Sequence, residues 1–172
     1  MHARTRRSQH LVRIRHITRD DPLYEQEVAL RTAVLLTPIG YTFEDYLKLA
    51  PGREEQCEHF VAVIDHPSGE RVVGTATLFI SDDDNGEKIG KVQQVCVDPQ
   101  RQGEGIGRKL MIAIEARGFG ELALSSLYCH AQLEAMPFYG RLGWSSDDKV
   151  FLEAGIEHKK MFIAAPKPAE TE

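Results

Sequence analysis

A glycine-rich segment followed by two basic residues carries the most specific chemistry in this sequence. Residues 103–107 read Gly-Glu-Gly-Ile-Gly, come shortly after an apolar stretch that ends at Val97, and lead into Arg108 and Lys109. The apolar residues that follow recur with a helical period up to Gly118, so a helix is predicted to begin at the glycines. The first N–H groups of a helix have no intrahelical partner, and glycines let an anion approach them closely. A phosphate site is therefore predicted here.

The spacing excludes two common phosphate-binding motifs. A P-loop requires Gly-Lys followed by Ser or Thr, whereas Lys109 is preceded by Arg108 and followed by Leu110. The dinucleotide fingerprint requires a third glycine at position 108, which is again Arg108. The alternative to a phosphate site is a glycine-rich turn that only joins a strand to a helix.

Residues 102–107 resemble the [R/Q]-x-x-G-x-[G/A] loop with which GNAT acetyltransferases bind the pyrophosphate of acyl-CoA, and V-x-V-x-P and R-K-L-M flank it. The resemblance implies acetyl-CoA as acyl donor. It also implies that the preceding strand splays from its parallel neighbour at a bulge, so that its backbone can bond the pantetheine amides. The implied cofactor contacts are Val95, Cys96, Val97, Gln102, Gly103, Glu104, Gly105, Ile106, Gly107, Arg108 and Lys109.

A second segment, A-M-P-F-Y-G-R-L-G-W at residues 135–144, resembles the A-x-x-F-Y-x-x-x-G-[FW] segment of the same family. There the tyrosine lies beside the thioester sulfur and in many members is the general acid, which implies that role for Tyr139. A phenol, with a pKa of about 10, is protonated at neutral pH and can protonate a leaving thiolate, whose pKa is about 8.5. The alternative is that Phe138 and Tyr139 are core aromatic residues.

The general base is not indicated by any motif. Many family members have an acid on the strand before the V-x-V pair, but this chain has Gln93 and Gln94 there, and an amide is not a base. His130 is the first substitute, since an imidazole can exchange a proton near neutral pH. Glu153 and His158 are the next candidates.

Two further segments resemble the ElaA- and YjcF-like branch of the family. These are L-R-x-x-V-L-x-x-P-x-G at residues 30–40 and E-x-G-I-x-H-x-x-M at residues 153–161. Cys96 as an acyl-carrying nucleophile is a further alternative, but no base adjoins it in the sequence.

The site residues require a particular set of elements to position them. A strand, a helix and a strand in succession around the glycines form a βαβ unit with parallel strands. Apolar periods and turn residues predict strands at 11–17, 57–65, 71–81, 91–97, 121–129, 150–152 and 160–164, and helices at 22–36, 42–49, 106–117 and 135–142. This order, β-α-α-β-β-β-α-β-α-β-β in one mixed α/β sheet, is that of the GNAT fold. We predict one GNAT domain at 11–164, a flexible basic arm at 1–10 and a disordered tail at 165–172.

The composition limits the possible partners. A net charge of −5 argues against nucleic acid and a membrane surface, and favours cationic or amine-bearing partners. No apolar run approaches the roughly 20 residues of a membrane span, so the cytoplasm is predicted. The three cysteines are isolated and residues 82–87 suit a hairpin turn, so neither a disulfide nor a metal site is predicted. A homodimer is left open.

The sequence therefore predicts an acetyl-CoA-dependent N-acetyltransferase. It would transfer the acetyl group directly from the thioester to a primary amine of a small molecule or peptide. The alternative is a CoA-binding or regulatory module with the same fold and little or no turnover, because the acid is missing from the strand. The acceptor itself is not specified by any motif.

Overall fold

The computed structural model describes residues 11–168, so the predicted arm at 1–10 and the last residues of the predicted tail, 169–172, lie outside the described part. The strands are β1 Arg13–Ile17, β2 Glu58–His66, β3 Gly69–Asp82, β4 Lys88–Val97, β5 Ser126–Gln132, β6 Ser145–Glu153 and β7 Ile156–Ala164. The helices are α1 Leu23–Arg31, α2 Phe43–Leu49, α3 Arg53–Gln56, α4 Ile106–Glu115 and α5 Met136–Arg141. A π-helical turn, Thr32–Leu36, extends α1, and a second one, Ala116–Glu121, extends α4.

One seven-stranded sheet runs through the molecule in the order β1-β2-β3-β4-β5-β7-β6. Every neighbouring pair is antiparallel except β4 and β5, which are parallel and are connected through α4. The predicted mixed sheet, the predicted element order and the βαβ unit around the glycines are confirmed. The short helix α3 is an addition that the sequence did not predict.

The two faces of the sheet are covered by different helices, which follows from the alternation of side chains along β2. Phe60, Ala62 and Ile64 belong to the core that contains α4, whereas Val61 and Val63 pack with Leu23 of α1. Helix α4 approaches the sheet closely, because a Cβ atom at Gly74 would lie 2.9 Å from Ile106. This close packing fixes where the first turn of α4 begins.

Several predicted boundaries were wrong, each for a physical reason. The helix after the glycines does not stop at Gly118, because that glycine is buried against Leu124 and Leu127 rather than ending the helix. Strand β6 begins at Ser145, well before the predicted start, since an edge strand exposed on both faces needs no apolar alternation.

Local turn chemistry agrees with the sequence more closely. The Asn85-Gly86 turn has the expected positive φ at the glycine, +78°. Thr42 and Asp45 form a complete capping box at the start of α2, although Asp replaces the usual Glu or Gln. Of the helices in residues 11–168, none is long and apolar enough to cross a membrane.

Candidate active site

The two parallel strands part in the middle of the sheet. Their ladder contains only the pairs Ile89–Ser126, Gly90–Leu127 and Lys91–Tyr128, whereas the other edge of β5 pairs with β7 from Ser126 to Gln132. The edge of β4 that faces β5 is therefore open from Val92 onward. Open backbone N–H and C=O groups on a strand edge can bond an extended ligand as an additional strand would.

A β-bulge on β4 marks the start of this opening. Gln93 pairs with Thr77 and Cys96 with Thr75, so Gln94 and Val95 together lie opposite one residue of β3. Gln94 has a positive φ of +52°, a conformation that costs a non-glycine residue about 1 kcal/mol or more. The splayed strand and the bulge that the resemblance implied are both present.

A cleft of about 530 Å³ occupies the gap between the strands. Its floor is formed by residues 91–95 of β4 and 129–132 of β5, and its wall by residues 35–54 around α2 and α3. Tyr139, His130, Glu153 and His158 also line it. The cleft thus brings together the residues that the sequence proposed as acid and as candidate bases, although they are far apart along the chain.

The glycine loop lies at the carboxyl end of β4 and leads into α4. Gly103 and Gly105 have φ values of +84° and +78°, and a Cβ atom at either would have no neighbour within 4 Å. Gly107 differs, because a Cβ atom there would lie 3.1 Å from the ring of Phe138. The first two glycines therefore leave open space beside the helix N-terminus, and the third lets α5 pack against α4.

The other predicted cofactor residues divide between surface and core. Gln102, Glu104, Arg108 and Lys109 are exposed around the loop and the first turn of α4, whereas Ile106 is buried. Val95 and Val97 pack partly against the core that contains α4. The arrangement places two exposed cationic side chains beside unpaired helix N–H groups, which is suited to an anion.

Tyr139 is buried between Trp144 and Phe138, with ring centroids 5.4 and 5.0 Å away, and only 6% of the residue is exposed. Burial, followed by its interaction with Cys129, raises the pKa of the Tyr139 phenol well above its ordinary value. The hydroxyl therefore keeps its proton throughout the neutral range, as a general acid for a departing thiolate must. The same burial is compatible with the alternative of a core aromatic residue.

His130 forms a hydrogen-bonded pair with Glu153 at the cleft. Its Nδ1 lies 3.0 Å from Glu153 Oε1, and the other oxygen of Glu153 lies 3.7 Å from Nε2 of His158. A carboxylate accepts a hydrogen bond, so the neutral His130 ring carries its proton on Nδ1 and leaves Nε2 free as an acceptor. His158 is buried, and its Nδ1 donates to the carbonyl of Ile156 over 2.7 Å. Sequence reasoning named these three residues separately but did not join them.

The cysteines have no catalytic setting. Cys57, Cys96 and Cys129 are free and buried. Burial raises the pKa of the Cys96 thiol to about 12, which opposes the thiolate that an acyl-carrying nucleophile needs. No group of three or more potential metal-binding side chains occurs within residues 11–168.

A buried charged cluster behind the cleft was missed by sequence reasoning. Glu27 and Arg31 are 0% exposed and Glu54 is 3% exposed. Arg31 donates from Nη1 and Nη2 to the two carboxylate oxygens of Glu54 over 2.6 and 2.9 Å, and from Nε to Oε1 of Gln94 over 3.2 Å. One end of Arg31 is therefore attached to α3 and the other to the bulge of β4. The available signal was the spacing of Leu23, Glu27 and Arg31 on one helical face.

The electrostatics of the cluster depend on this pairing. Burial raises the pKa of Glu54, but the hydrogen bonds and charge of Arg31 outweigh burial and leave it below its ordinary value. Burial lowers the pKa of His59, but its contacts with Glu27 and Glu54 raise it above the ordinary value. One oxygen of Glu27, Oε2, is buried without a hydrogen-bond partner among the described residues. The cluster combines two carboxylates with two cationic groups, and its charges balance when His59 is protonated.

The family model of the acetyltransferase (GNAT) domain matches residues 37–165, which is most of the chain. This chain belongs to the GNAT acetyltransferases. Among curated proteins, no sequence matches it significantly. The predicted superfamily, the predicted fold and the predicted N-acetyltransferase class are thereby confirmed.

Several solved structures superpose well on this GNAT fold, although their sequences have low identity to this chain. Escherichia coli ElaA is 20% identical with a TM-score of 0.70, and the match covers 88% of this chain and 99% of ElaA. An acyl-CoA N-acyltransferase from Pseudomonas aeruginosa is 22% identical with a TM-score of 0.64, covering 90% and 99% of the two chains. A chain of the NatC complex bound to Gag peptide and CoA is 16% identical with a TM-score of 0.71, covering 90% and 99%.

Membership in the GNAT acetyltransferases accounts for the general use of an acyl-CoA donor and an amine acceptor. The identities to the solved structures are too low to transfer individual residues or acceptors. The roles of Tyr139, His130 and the glycine loop therefore stay predictions, as do the ElaA-like branch, the cytoplasmic location and the oligomeric state.

Proposed function

We propose that this GNAT protein transfers the acetyl group of acetyl-CoA directly to a primary amine within a ternary complex. The observation that carries this proposal is the opening between β4 and β5, where the parallel ladder ends at Lys91 and Tyr128 and the candidate acid and base both line the resulting cleft. The structure of the NatC complex, one chain of which shares this fold, contains bound CoA and supports the choice of donor.

The donor would lie along the open edge of β4. Backbone groups of residues 95–97 would bond the pantetheine amides, and a backbone N–H of the same stretch would polarise the acyl carbonyl. The loop at 102–107, with Arg108 and Lys109, would hold the pyrophosphate through helix N–H groups and charge-assisted hydrogen bonds. Because Phe138 packs on Gly107, the cofactor loop and the helix carrying Tyr139 are joined by direct contact.

The transfer step uses the two sides of the cleft. The neutral amine nitrogen attacks the thioester carbon, the new C–N bond forms and the C–S bond breaks. His130 Nε2, with Nδ1 held by Glu153, takes the proton that the amine loses, directly or through water. The Tyr139 hydroxyl gives its proton to the departing sulfur of CoA. Many family members have an acid where this chain has Gln93 and Gln94. In this proposal, the His130 imidazole paired with Glu153 serves as the base instead of that acid.

The second candidate function is a CoA-binding module without turnover. The observation that favours it is the pair Gln93 and Gln94, amides where many family members have an acid. The hydrogen bond between His130 and Glu153 weakens that argument, because it supports His130 as a candidate base in the same cleft.

The two candidates are separated by thiol release from acetyl-CoA in the presence of polyamines, amino acids, aminoglycosides and peptide N-termini. We expect acceptor-dependent release with at least one class, together with a rise in Tm on adding CoA. A rise in Tm without release from any acceptor would support the binding module. No rise and no release would contradict both.

A further inference from the structure

Two cationic side chains face the cleft at the end opposite the glycine loop. Lys91 is the last residue of β4 that pairs with β5, and Arg53 begins α3 with its guanidinium 4.2 Å from the centre of the Phe79 ring. Both residues line the cleft and both are partly buried. The pair is notable in a chain whose net charge is −5.

These cations are too far away to serve the CoA pyrophosphate. Lys91 and Val97 are six residues apart on β4, which corresponds to roughly 20 Å at about 3.3 Å per residue. The glycine loop lies beyond Val97 and has its own cations in Arg108 and Lys109. Arg53 and Lys91 therefore belong to the part of the cleft left for the acceptor.

The carboxylates in the cleft wall are already bonded to other groups. Glu54 accepts from Arg31 and Tyr24, and Glu153 is paired with His130. By contrast, the side chains of Arg53 and Lys91 form no ion pair or hydrogen bond with any residue in the range 11–168. Burial lowers the pKa of Lys91, the charge of Glu153 raises it, and the charge of Arg53 lowers it again. An anion between the two cations would relieve the cost of keeping them partly buried.

The cations also lie beside the proposed transfer site. Lys91 and Tyr139 line the same cleft, so a group held by Lys91 shares this cavity with the acid that would protonate the leaving sulfur. The wall that carries Arg53 also has apolar residues, among them Leu35, Ile39 and Leu49. The cleft therefore offers one cation in its floor, one in its wall and apolar surface beside them.

On the basis of the proposed acetyl transfer, we propose that the acceptor is a small amine that also carries a carboxylate, as an amino acid does. Lys91 and Arg53 hold the carboxylate by charge-assisted hydrogen bonds, the amine points toward His130, and an apolar side chain lies against the wall. The prediction from net charge, that cationic or amine-bearing partners are favoured, covers the amine of such an acceptor but not its carboxylate. The charges that face the acceptor decide its recognition, and they are positive.

The test compares matched pairs of acceptors that differ only in the carboxylate. Glycine, leucine and phenylalanine are compared with their amides by thiol release from acetyl-CoA. In at least one pair we expect kcat/KM for the acid to exceed that for the amide by about tenfold or more. This difference corresponds to the loss of one or more charge-assisted hydrogen bonds when the carboxylate is replaced by an amide. Lys91→Met is expected to abolish that preference, and Arg53→Met to reduce it.

The matched control is Lys88→Met, a lysine on the same strand whose side chain is 66% exposed and pairs with Asp82 over 3.7 Å. It should keep the preference of the unsubstituted protein. A second measurement does not depend on turnover: the rise in Tm caused by each acid or amide in the presence of CoA. Tm also shows whether Lys91→Met folds. If it does not fold, the carboxylate site is tested by the preference of Arg53→Met for acids over amides.

The outcomes distinguish this inference from the proposed function. Stabilisation by acids but not amides, lost in Lys91→Met and without thiol release from any amine, would leave the carboxylate site standing and contradict acetyl transfer. Release with amides at least equal to acids in every pair, or an unchanged preference in Lys91→Met, would overturn the carboxylate site and leave acetyl transfer standing.

Discussion

Replacement of Arg31 by Met tests the buried cluster that holds the bulge of β4. Met keeps the length of the side chain but removes the bonds to Glu54 and Gln94, and it takes away one of the two cationic groups that balance the buried carboxylates. Breaking a buried ion pair on one side costs about 3–5 kcal/mol. In a domain of this size each kcal/mol lowers Tm by roughly 2–4 °C, so a loss of about 6–20 °C is expected.

The effect should depend on pH in a direction set by Glu54. Its folded pKa is below the ordinary value, so the stability that the pair contributes is present at neutral pH and is lost as pH falls through that folded pKa. Without Arg31, only His59 and Tyr24 still oppose the effect of burial, so the pKa of Glu54 rises and the variant protonates this residue more readily than the unsubstituted protein does. The difference in unfolding free energy between the two proteins should therefore be full at neutral pH and shrink as pH falls toward and below the ordinary carboxyl pKa of 4.5.

The assay is urea unfolding at several pH values, with Arg31→Met/Glu54→Gln as the companion variant. Removing the stranded charge should recover part of the lost stability. The control is Arg19→Met, which breaks a surface pair with Glu55 at 3.4 Å whose side chains are 44% and 51% exposed, and should cost less than about 1 kcal/mol. A loss in Arg31→Met no larger than in this control, or one that does not change with pH, would refute the reasoning.

Three further predictions concern the proposed mechanism. Tyr139→Phe should lower kcat by roughly ten- to a thousandfold with little change in acetyl-CoA affinity, because only a transition-state contact is lost; full activity would make Tyr139 a core aromatic residue. Gly105→Asp should weaken CoA binding by about tenfold or more in calorimetry, since a carboxylate would occupy the anion site; its φ of +78° costs a residue with a Cβ atom about 1 kcal/mol, so Tm should also fall by roughly 2–4 °C. His130→Ala should lower kcat/KM by roughly a hundredfold or more with little change in acetyl-CoA affinity, because the base that accepts the amine proton is lost, whereas an unchanged kcat/KM would make His130 structural.

Local sequence was sufficient for the parts of this protein that depend on local chemistry. Gly103 and Gly105 have positive φ, and α4 begins at Ile106 directly after them, as predicted, because helix N-termini depend on neighbouring residues. Alternating and helical periods gave the order of strands and helices, and that order with two motifs was enough for the GNAT fold. Predicted boundaries were wrong where tertiary packing overrides the usual preference of a residue. Gly118, for example, lies inside the helical turn that follows α4 instead of ending the helix.

Only the tertiary structure decided which distant groups meet. His130 of β5 is hydrogen-bonded to Glu153 at the end of β6, and no periodicity of the sequence predicts this contact. Arg31 belongs to a face that a hydropathy pattern reads as solvent-exposed, yet it is fully buried because Glu54 and Gln94 satisfy its donors. Likewise, net charge described the whole chain, whereas Lys91 and Arg53 make one end of the cleft positive. Burial, charge pairing and the choice of neighbours are long-range properties, and folding sets them.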